Sequence, residues 1–240
     1  MYFEDVYDLL MDKNVYEDWL SFFQLYYHPD DAAKILDLGC GSAQLTICLA
    51  RAGFKMTGLD RSEDMLARAS FNQGEKQTFF PLIAGDMTDL SDLGCYNGII
   101  SSLDSICYLE DQEDVRQVFS EVYQHLNSGG CFIFDVHSSY QMEELYPGYM
   151  YNYSEEDFSF MWTAYEGEEP YSIIHEMNLF TKEDKGYERK ERVIKERTYL
   201  LEEYRLMLEQ AGYAQVEVYD NFGKSPVHEE SSRWFFVCRK

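Results

Sequence analysis

Two glycines and three aspartates, in a fixed order along the chain, are the residues that point most directly to chemistry. Asp37-Leu38-Gly39-Cys40-Gly41-Ser42-Ala43 follows the apolar run Lys34-Ile35-Leu36. A glycine turn between a strand and a helix lets backbone N–H groups and the helix N-terminus approach a ligand closely. A dinucleotide fingerprint, G-x-G-x-x-G or A, would need a small residue at position 44, which is Gln44. Asp37 would also repel a pyrophosphate. It suits the cationic amino end of a ligand, directly or through water, and could brace the turn. Asp60 stands 19 residues after Gly41, where an acid can accept hydrogen bonds from two ribose hydroxyls. Gly85-Asp86-Met87 adds a carboxylate for an adenine amino group and a thioether to pack on the ring. Singly, each has a plainer reading: a tight turn for the glycines, a helix cap for Asp60, a turn residue for Asp86. Their joint order favours a nucleoside ligand with a cationic tail.

These residues need elements to hold them. The periodicity predicts an amphipathic, Tyr-rich helical segment over 6–27, then a turn at Pro29-Asp30-Asp31. Strands are expected at 34–38, 55–59, 78–84, 98–101 and 131–136. Helices follow the first, second and fourth strands, the last over 112–126. Gly53 and Asn127-Ser128-Gly129-Gly130 are the expected helix stops, and Ser62 is the expected N-cap of the second of these helices. Pro81 within 78–84 marks an edge strand. Continuous apolar strands alternating with helices predict an α/β fold, with a doubly wound, mostly parallel sheet covered on both faces.

From residue 137 the character changes. Strands at 159–165, 172–181 and 187–195, with a hairpin loop at 182–186, predict an antiparallel β insertion over residues 137–198. A helix at 201–210, stopped by Gly212, and strands at 215–219 and 234–239 return the chain to the main sheet. The expected division is therefore 1–136 with 199–240 as the main domain, and 137–198 as a cover over the top of the main sheet.

Composition narrows the partners. The 240 residues carry 20 Lys plus Arg against 44 Asp plus Glu, a net charge of −24. Nucleic acid and acidic lipid surfaces are disfavoured, because both require clustered cations. The 20 Tyr and 16 Phe argue for a packed core rather than a disordered chain. The six cysteines show no C-x-x-C spacing and fall largely in apolar stretches, as in a reduced, cytoplasmic protein. No apolar stretch approaches the ~20 residues of a membrane span. A homodimer is compatible with the sequence.

Three successive segments, ILDLGCGSA, GLDRSEDMLARA and AGDMTDL, closely resemble the motifs of class I S-adenosylmethionine (SAM)-dependent methyltransferases. The match covers residues 34–136. With its YxxLM…YxxW start and Tyr-rich insertion, the chain looks like small bacterial methyltransferases of unassigned substrate, distantly similar to glycine N-methyltransferase. The resemblance implies a Rossmann-like, seven-stranded sheet and SAM as cofactor. Gly39 and Gly41 would take the methionine part, Asp60 the ribose (with Arg61 beside it), and Asp86 with Met87 the adenine. The family's usual third glycine is Ala43 here, a modest change unless the turn needs a positive φ there.

Further candidates are less specific. Tyr7, Tyr16 and Trp19 read as part core, part lid; aromatic faces attract a sulfonium by cation–π interaction. Ser102, Leu103 and Asp104 follow the fourth strand at the carboxyl edge, where ligands bind, and the resemblance places Leu103 or Asp104 near the sulfonium. His137 follows the fifth strand and is a candidate general base, with a structural role equally open. His175 reads as structural. The expected reaction is in-line displacement on a small-molecule acceptor by an N, O or S nucleophile, which needs alignment more than acid–base help. No metal motif and no catalytic triad are evident. An NAD-dependent oxidoreductase and a non-catalytic SAM-binding regulator are the alternatives.

Overall fold

The computed structural model describes residues 2–29 and 33–240. Asp30 and Asp31 of the expected turn lie outside the described residues. The chain starts with two helices, α1 (Phe3–Leu10) and α2 (Asn14–Phe23). They interrupt the single helical segment expected over 6–27: the backbone leaves helical geometry at Met11, whose φ and ψ are −62° and 132°. Then come β1 (Lys34–Leu38), α3 (Gln44–Arg51), β2 (Lys55–Asp60), α4 (Glu63–Lys76), β3 (Leu82–Ala84), β4 (Tyr96–Ser101), α5 (Gln112–His125) and β5 (Leu126–His137).

The main sheet has the order β11-β10-β12-β5-β4-β1-β2-β3. It holds eight strands rather than seven, because the two-residue β11 (Ser225–Pro226) joins the edge of β10 (Gln215–Asp220). β12 (Arg233–Arg239) lies antiparallel between β10 and β5. β3 sits at the opposite edge, as Pro81 implied, but it is only three residues long. Pro81 precedes it and still accepts a bond from Gly58 N–H through its carbonyl. Residues 126–130 belong to an irregular start of β5 rather than to a loop after α5, with the register shifting between Tyr96 and Gly98.

Successive strand residues enter opposite layers, as period-two side chains must. Ile35, Ile100, Ile133 and Phe235 pack with α2 and α3. Leu36, Ile99, Phe134 and Phe236 pack with α5 and with α6 (Leu201–Ala211). The expected punctuation is in place: Ser62 Oγ accepts from Met65 N–H at 3.2 Å, and Gly53 and Gly212 adopt φ of +102° and +112° after α3 and α6.

Residues 150–197 form a separate antiparallel sheet, β6-β7-β8-β9. Its strands are β6 (Met150–Ser154), β7 (Phe158–Glu166), β8 (Ser172–Glu183) and β9 (Gly186–Arg197). β6 is an addition to the three strands expected here, and its MYNYS lacks an apolar alternation. Sequence reading drew the β8–β9 loop too long, since Glu183 pairs with Gly186 across a two-residue turn. Val6 of α1 packs with Phe158, Phe160 and Leu179, so the first helix ties this sheet to the main body.

β1 and β4 are neighbours, with β2 and β3 on the far side of β1, so the winding direction reverses between β1 and β4. In an open α/β sheet that reversal opens a crevice beyond the carboxyl ends of the strands.

Candidate active site

A cavity of about 1200 Å³ occupies that crevice and extends to the antiparallel sheet. Its sheet end is built from the carboxyl ends of β1, β2, β3, β4 and β5. After β1, Gly39 and Gly41 take φ of +71° and +53°. A Cβ on Gly39 would come within 2.8 Å of Ser105, so that position needs glycine for space as well as for conformation. A Cβ on Gly41 would meet no described atom within 4 Å and would fill the cavity itself. Gly39 N–H and Cys40 N–H both donate to the Leu59 carbonyl, at 2.8 and 3.0 Å. Gly41 N–H donates to Asp60 Oδ2 at 2.7 Å, and Ser62 N–H to Asp60 Oδ1 at 2.8 Å. The carboxylate is thus fixed in orientation, and each oxygen retains acceptor capacity for a hydroxyl.

After β3, Asp86 Oδ1 accepts from Thr88 N–H and Thr88 Oγ, at 2.9 and 2.8 Å. It is a turn residue that also lines the cavity, with Met87 beside it. After β4, Leu103 and Asp104 are both left-handed, with φ of +55° and +57°. Two adjacent non-glycine residues in that region cost about 1–2 kcal/mol each, and such strain collects at ligand sites. Ser105 Oγ ties this loop to the glycine turn through the Gly39 carbonyl at 3.2 Å. From above, Asp8 of α1 accepts from Ser42 Oγ at 2.5 Å and from Gln44 Nε2 at 3.1 Å, closing α1 over the turn.

The far end of the cavity carries buried ionisable groups. Arg233 lies between Asp104 (Nη2 to Oδ1, 2.7 Å) and Asp135, to which it also hydrogen-bonds. Asp104 N–H donates to Asp135 Oδ2 at 3.2 Å. Burial would raise the Asp104 carboxyl, but the charges of His137 and Arg233, with their hydrogen bonds, hold it well below the usual carboxylate range. Burial raises Asp135 despite Arg233. His137 Nε2 lies 2.9 Å from Tyr146 Oη, 3.4 Å from Asp104 Oδ2 and 3.7 Å from Glu196 Oε2. His175 Nε2 lies 3.4 Å from the same Glu196 oxygen.

This donor set fits SAM at the sheet end. A fixed carboxylate after β2 suits vicinal hydroxyls, the open space at Gly41 admits a close ligand, and Met87 offers an apolar wall. Comparisons with known proteins agree. Residues 35–130 match the family model of a methyltransferase domain. A protein of Geobacillus sp. (strain WCH70), named as a methyltransferase without a stated acceptor, is 35% identical, covering 98% of this chain and 96% of its own. YqeM of Bacillus subtilis (strain 168), named in the same way, is 32% identical over 99% and 96%. The chain belongs to the class I SAM-dependent methyltransferases. A SAM-dependent methyltransferase from Clostridium acetobutylicum ATCC 824 shares the methyltransferase's fold, with a TM-score of 0.84 at 24% identity over 99% of this chain and 97% of that one. Membership in the family sets aside both the oxidoreductase and the non-catalytic binder.

Of the residues expected in the methyltransferase's site, Tyr7, Gly39, Gly41, Asp60, Arg61, Asp86, Met87, Ser102, Leu103, Asp104 and His137 line the cavity. Two do not. Trp19 is buried in an aromatic cluster with Phe22, Phe222 and Phe235, facing the core side of α2. Tyr16, three residues earlier, is the α2 aromatic that reaches the cavity. Asp37 lies wholly buried under the turn, where Thr46 Oγ1 donates to it at 2.5 Å. It braces α3 and does not meet the cavity. Ala43 adopts φ +61°, so the turn does need a left-handed residue there, and alanine carries the strain. His175, read as structural, is buried, accepts from Trp162 Nε1–H at 3.0 Å and also borders the cavity. Arg233, Asp135, Tyr146, Trp162 and Glu196 were not anticipated. In the sequence only Asp135 carried a signal, a charge inside the apolar strand Cys131-Phe132-Ile133-Phe134-Asp135. All six cysteines are free. Among the described residues no helix is long and apolar enough to cross a membrane.

Proposed function

We propose that the chain transfers a methyl group from SAM to a small-molecule acceptor enclosed between the carboxyl edge of the main sheet and the inner face of the antiparallel sheet. The observation that carries this reading is the cavity itself, a single space lined at one end by Gly39 and Asp60 and at the other by Trp162, His175 and Glu196. When bound, SAM supplies a methyl group on a sulfonium and leaves as a neutral thioether, so no acid is needed at sulfur.

In this reading Gly39 and Gly41 seat the methionine portion through their backbone, Asp60 holds the ribose hydroxyls, and Asp86 with Met87 takes the adenine. Arg61 borders the ribose. Tyr7 and Leu103 flank the sulfonium, with Ser102 beneath. Residues 137–198 are the cover that excludes water and fixes the acceptor, and its alignment supplies much of the acceleration. Asp104 and His137 stand where the acceptor's nucleophilic N, O or S would lie.

The test is to incubate the protein with methyl-labelled SAM and three separate fractions: metabolites below about 1 kDa, total protein, and total RNA. Label passing to the metabolite fraction alone is the expected result. Label on protein or RNA, with none on metabolites, would sink the small-molecule reading.

A further inference from the structure

The acceptor end of the cavity sets three carboxylates, Asp104, Asp135 and Glu196, about one arginine, Arg233, and two histidines, His137 and His175. Arg233 is shared by Asp104 and Asp135. Arg192, the other cation facing the antiparallel sheet's end, is engaged by Glu4 at 2.6 Å. Among the described residues no Lys or Arg pairs with Glu196; His137 and His175 lie within 4 Å of it, and the Tyr108 hydroxyl hydrogen-bonds to it. Glu196 is 5% exposed, and its Oε2 makes no hydrogen bond although it is buried at the cavity wall.

Two histidines border Glu196. Trp162 Nε1–H donates to His175 Nδ1 at 3.0 Å. His175 Nε2 lies 3.4 Å from Glu196 Oε2 and is not aligned to bond it. His137 Nε2 is shared among Tyr146, Asp104 and Glu196. The same cavity wall carries the rings of Tyr146, Tyr149 and Trp162, with Tyr149 and Trp162 5.0 Å apart and Tyr146 and His175 4.9 Å apart. All of them line the cavity. A buried carboxylate oxygen without a hydrogen bond, in a cavity with aromatic walls, is an environment that stabilises an ammonium, through charge pairing and cation–π attraction together. It repels a carboxylate or phenolate acceptor.

We infer that the acceptor is a primary or secondary amine, bound as its ammonium by Glu196 and the aromatic wall, and that Glu196 also receives its proton. The inference rests on the small-molecule reading above and deepens it. The step balances. The ammonium passes one proton to the Glu196 carboxylate, which frees the nitrogen lone pair. That pair forms the new N–C bond to the methyl carbon, and the C–S bonding pair returns to sulfur. The products are an N-methylated ammonium, neutral S-adenosylhomocysteine and a protonated Glu196. The acid then loses its proton to water when the cavity opens.

The test uses the full chain saturated with S-adenosylhomocysteine and three matched probes: benzylamine, benzyl alcohol and benzoate. Calorimetric titration is expected to show benzylamine binding at least tenfold tighter than the alcohol, with benzoate weakest. In Glu196→Gln that preference should fall to twofold or less, while S-adenosylhomocysteine binding and the melting temperature stay near the parent values. Equal affinity for amine and alcohol, no binding of benzylamine, or a preference that persists in Glu196→Gln would overturn the inference. So would stoichiometric binding of Zn²⁺ or Mn²⁺ that is lost in Glu196→Gln, because Asp104, His137 and Glu196 would then be a metal site. Methyl transfer to an alcohol, carboxylate or thiol, with none to amines, would leave the small-molecule reading standing and sink the amine. Transfer only to protein or RNA would sink both.

Discussion

The two ends of the cavity are made in opposite ways. The cofactor end is mostly backbone. Its form comes from left-handed residues at 39, 41, 103 and 104 and from N–H groups aimed at Asp60 and the Leu59 carbonyl. The acceptor end is side chain, with Arg233 locked between two carboxylates and Glu196 set among histidines and aromatic rings. A backbone cradle recognises what every relative must bind and leaves few side chains free to vary. A side-chain cluster can be re-specified one residue at a time. The contrast therefore separates what is common to the reaction from what is particular to the acceptor.

That contrast predicts where substitutions hurt. The largest effect should come from Arg233→Met, which leaves Asp104 and Asp135 buried without their cation. A loss of about 3–5 kcal/mol of unfolding free energy is expected for breaking such a pair, and urea titration measures it. A loss under about 1 kcal/mol would mean that the acceptor end is not held by this ion pair.

Next in size is a pH effect from the cofactor end. Burial raises the Asp37 carboxyl to about 7, tempered by the Thr46 hydrogen bond and reinforced by the Asp60 charge. An acid with a raised pKa keeps its proton in the folded state over a range where the unfolded chain has lost it. Folding is then progressively disfavoured as pH rises from about 4 through 7. By the relation of about 1.4 kcal/mol per pKa unit, the decline is on the order of 4 kcal/mol at most. Asp37→Asn should remove that decline, so the difference between the two stability–pH curves should grow up to pH 7 and then level off. A parallel pair of curves would show that Asp37 is ionised in the fold.

Asp60→Ala should weaken SAM binding by about 100-fold, since a hydrogen bond to a charged group contributes roughly 1.5–3 kcal/mol. Calorimetry checks this, and affinity retained within a factor of about two would remove Asp60 from the ribose role. The smallest effect is Ala43→Gly. Relief of roughly 1 kcal/mol of left-handed strain opposes the loss of about 0.8 kcal/mol for one buried methyl. Stability should change by less than about 0.5 kcal/mol, and a drop beyond 1 kcal/mol would show that the methyl packs the turn.

The local elements were legible because each has a short-range cause. Gly53, Ser62 and Gly212 act within one helical turn, and the apolar runs at β1 and β4 are buried whichever strand lies next to them. The glycine turn, Asp60 and Asp86 could be placed because parallel strands feed their carboxyl ends to one edge, so chain order along the sequence becomes order around the ligand. Trp19 and Asp37 were misplaced because periodicity gives a helix face and a strand end but not the side from which a cavity is entered.

What the sequence determined by itself was thus the alternation of strands and helices, the nucleoside end of the site and the family. Only the tertiary structure decided the acceptor end. Arg233 reaches Asp135 and Asp104 because β12 runs antiparallel to β5, bringing the start of the last strand to the carboxyl edge; Arg233 pairs with His137 in that register. Glu196 meets His175 because β8 and β9 pair with His175 opposite Ile194, which sets Glu196 on the adjacent diagonal of the same face. Strand direction and register are settled by long-range pairing and by burial against other elements, and neither leaves a mark at the residues that they bring together.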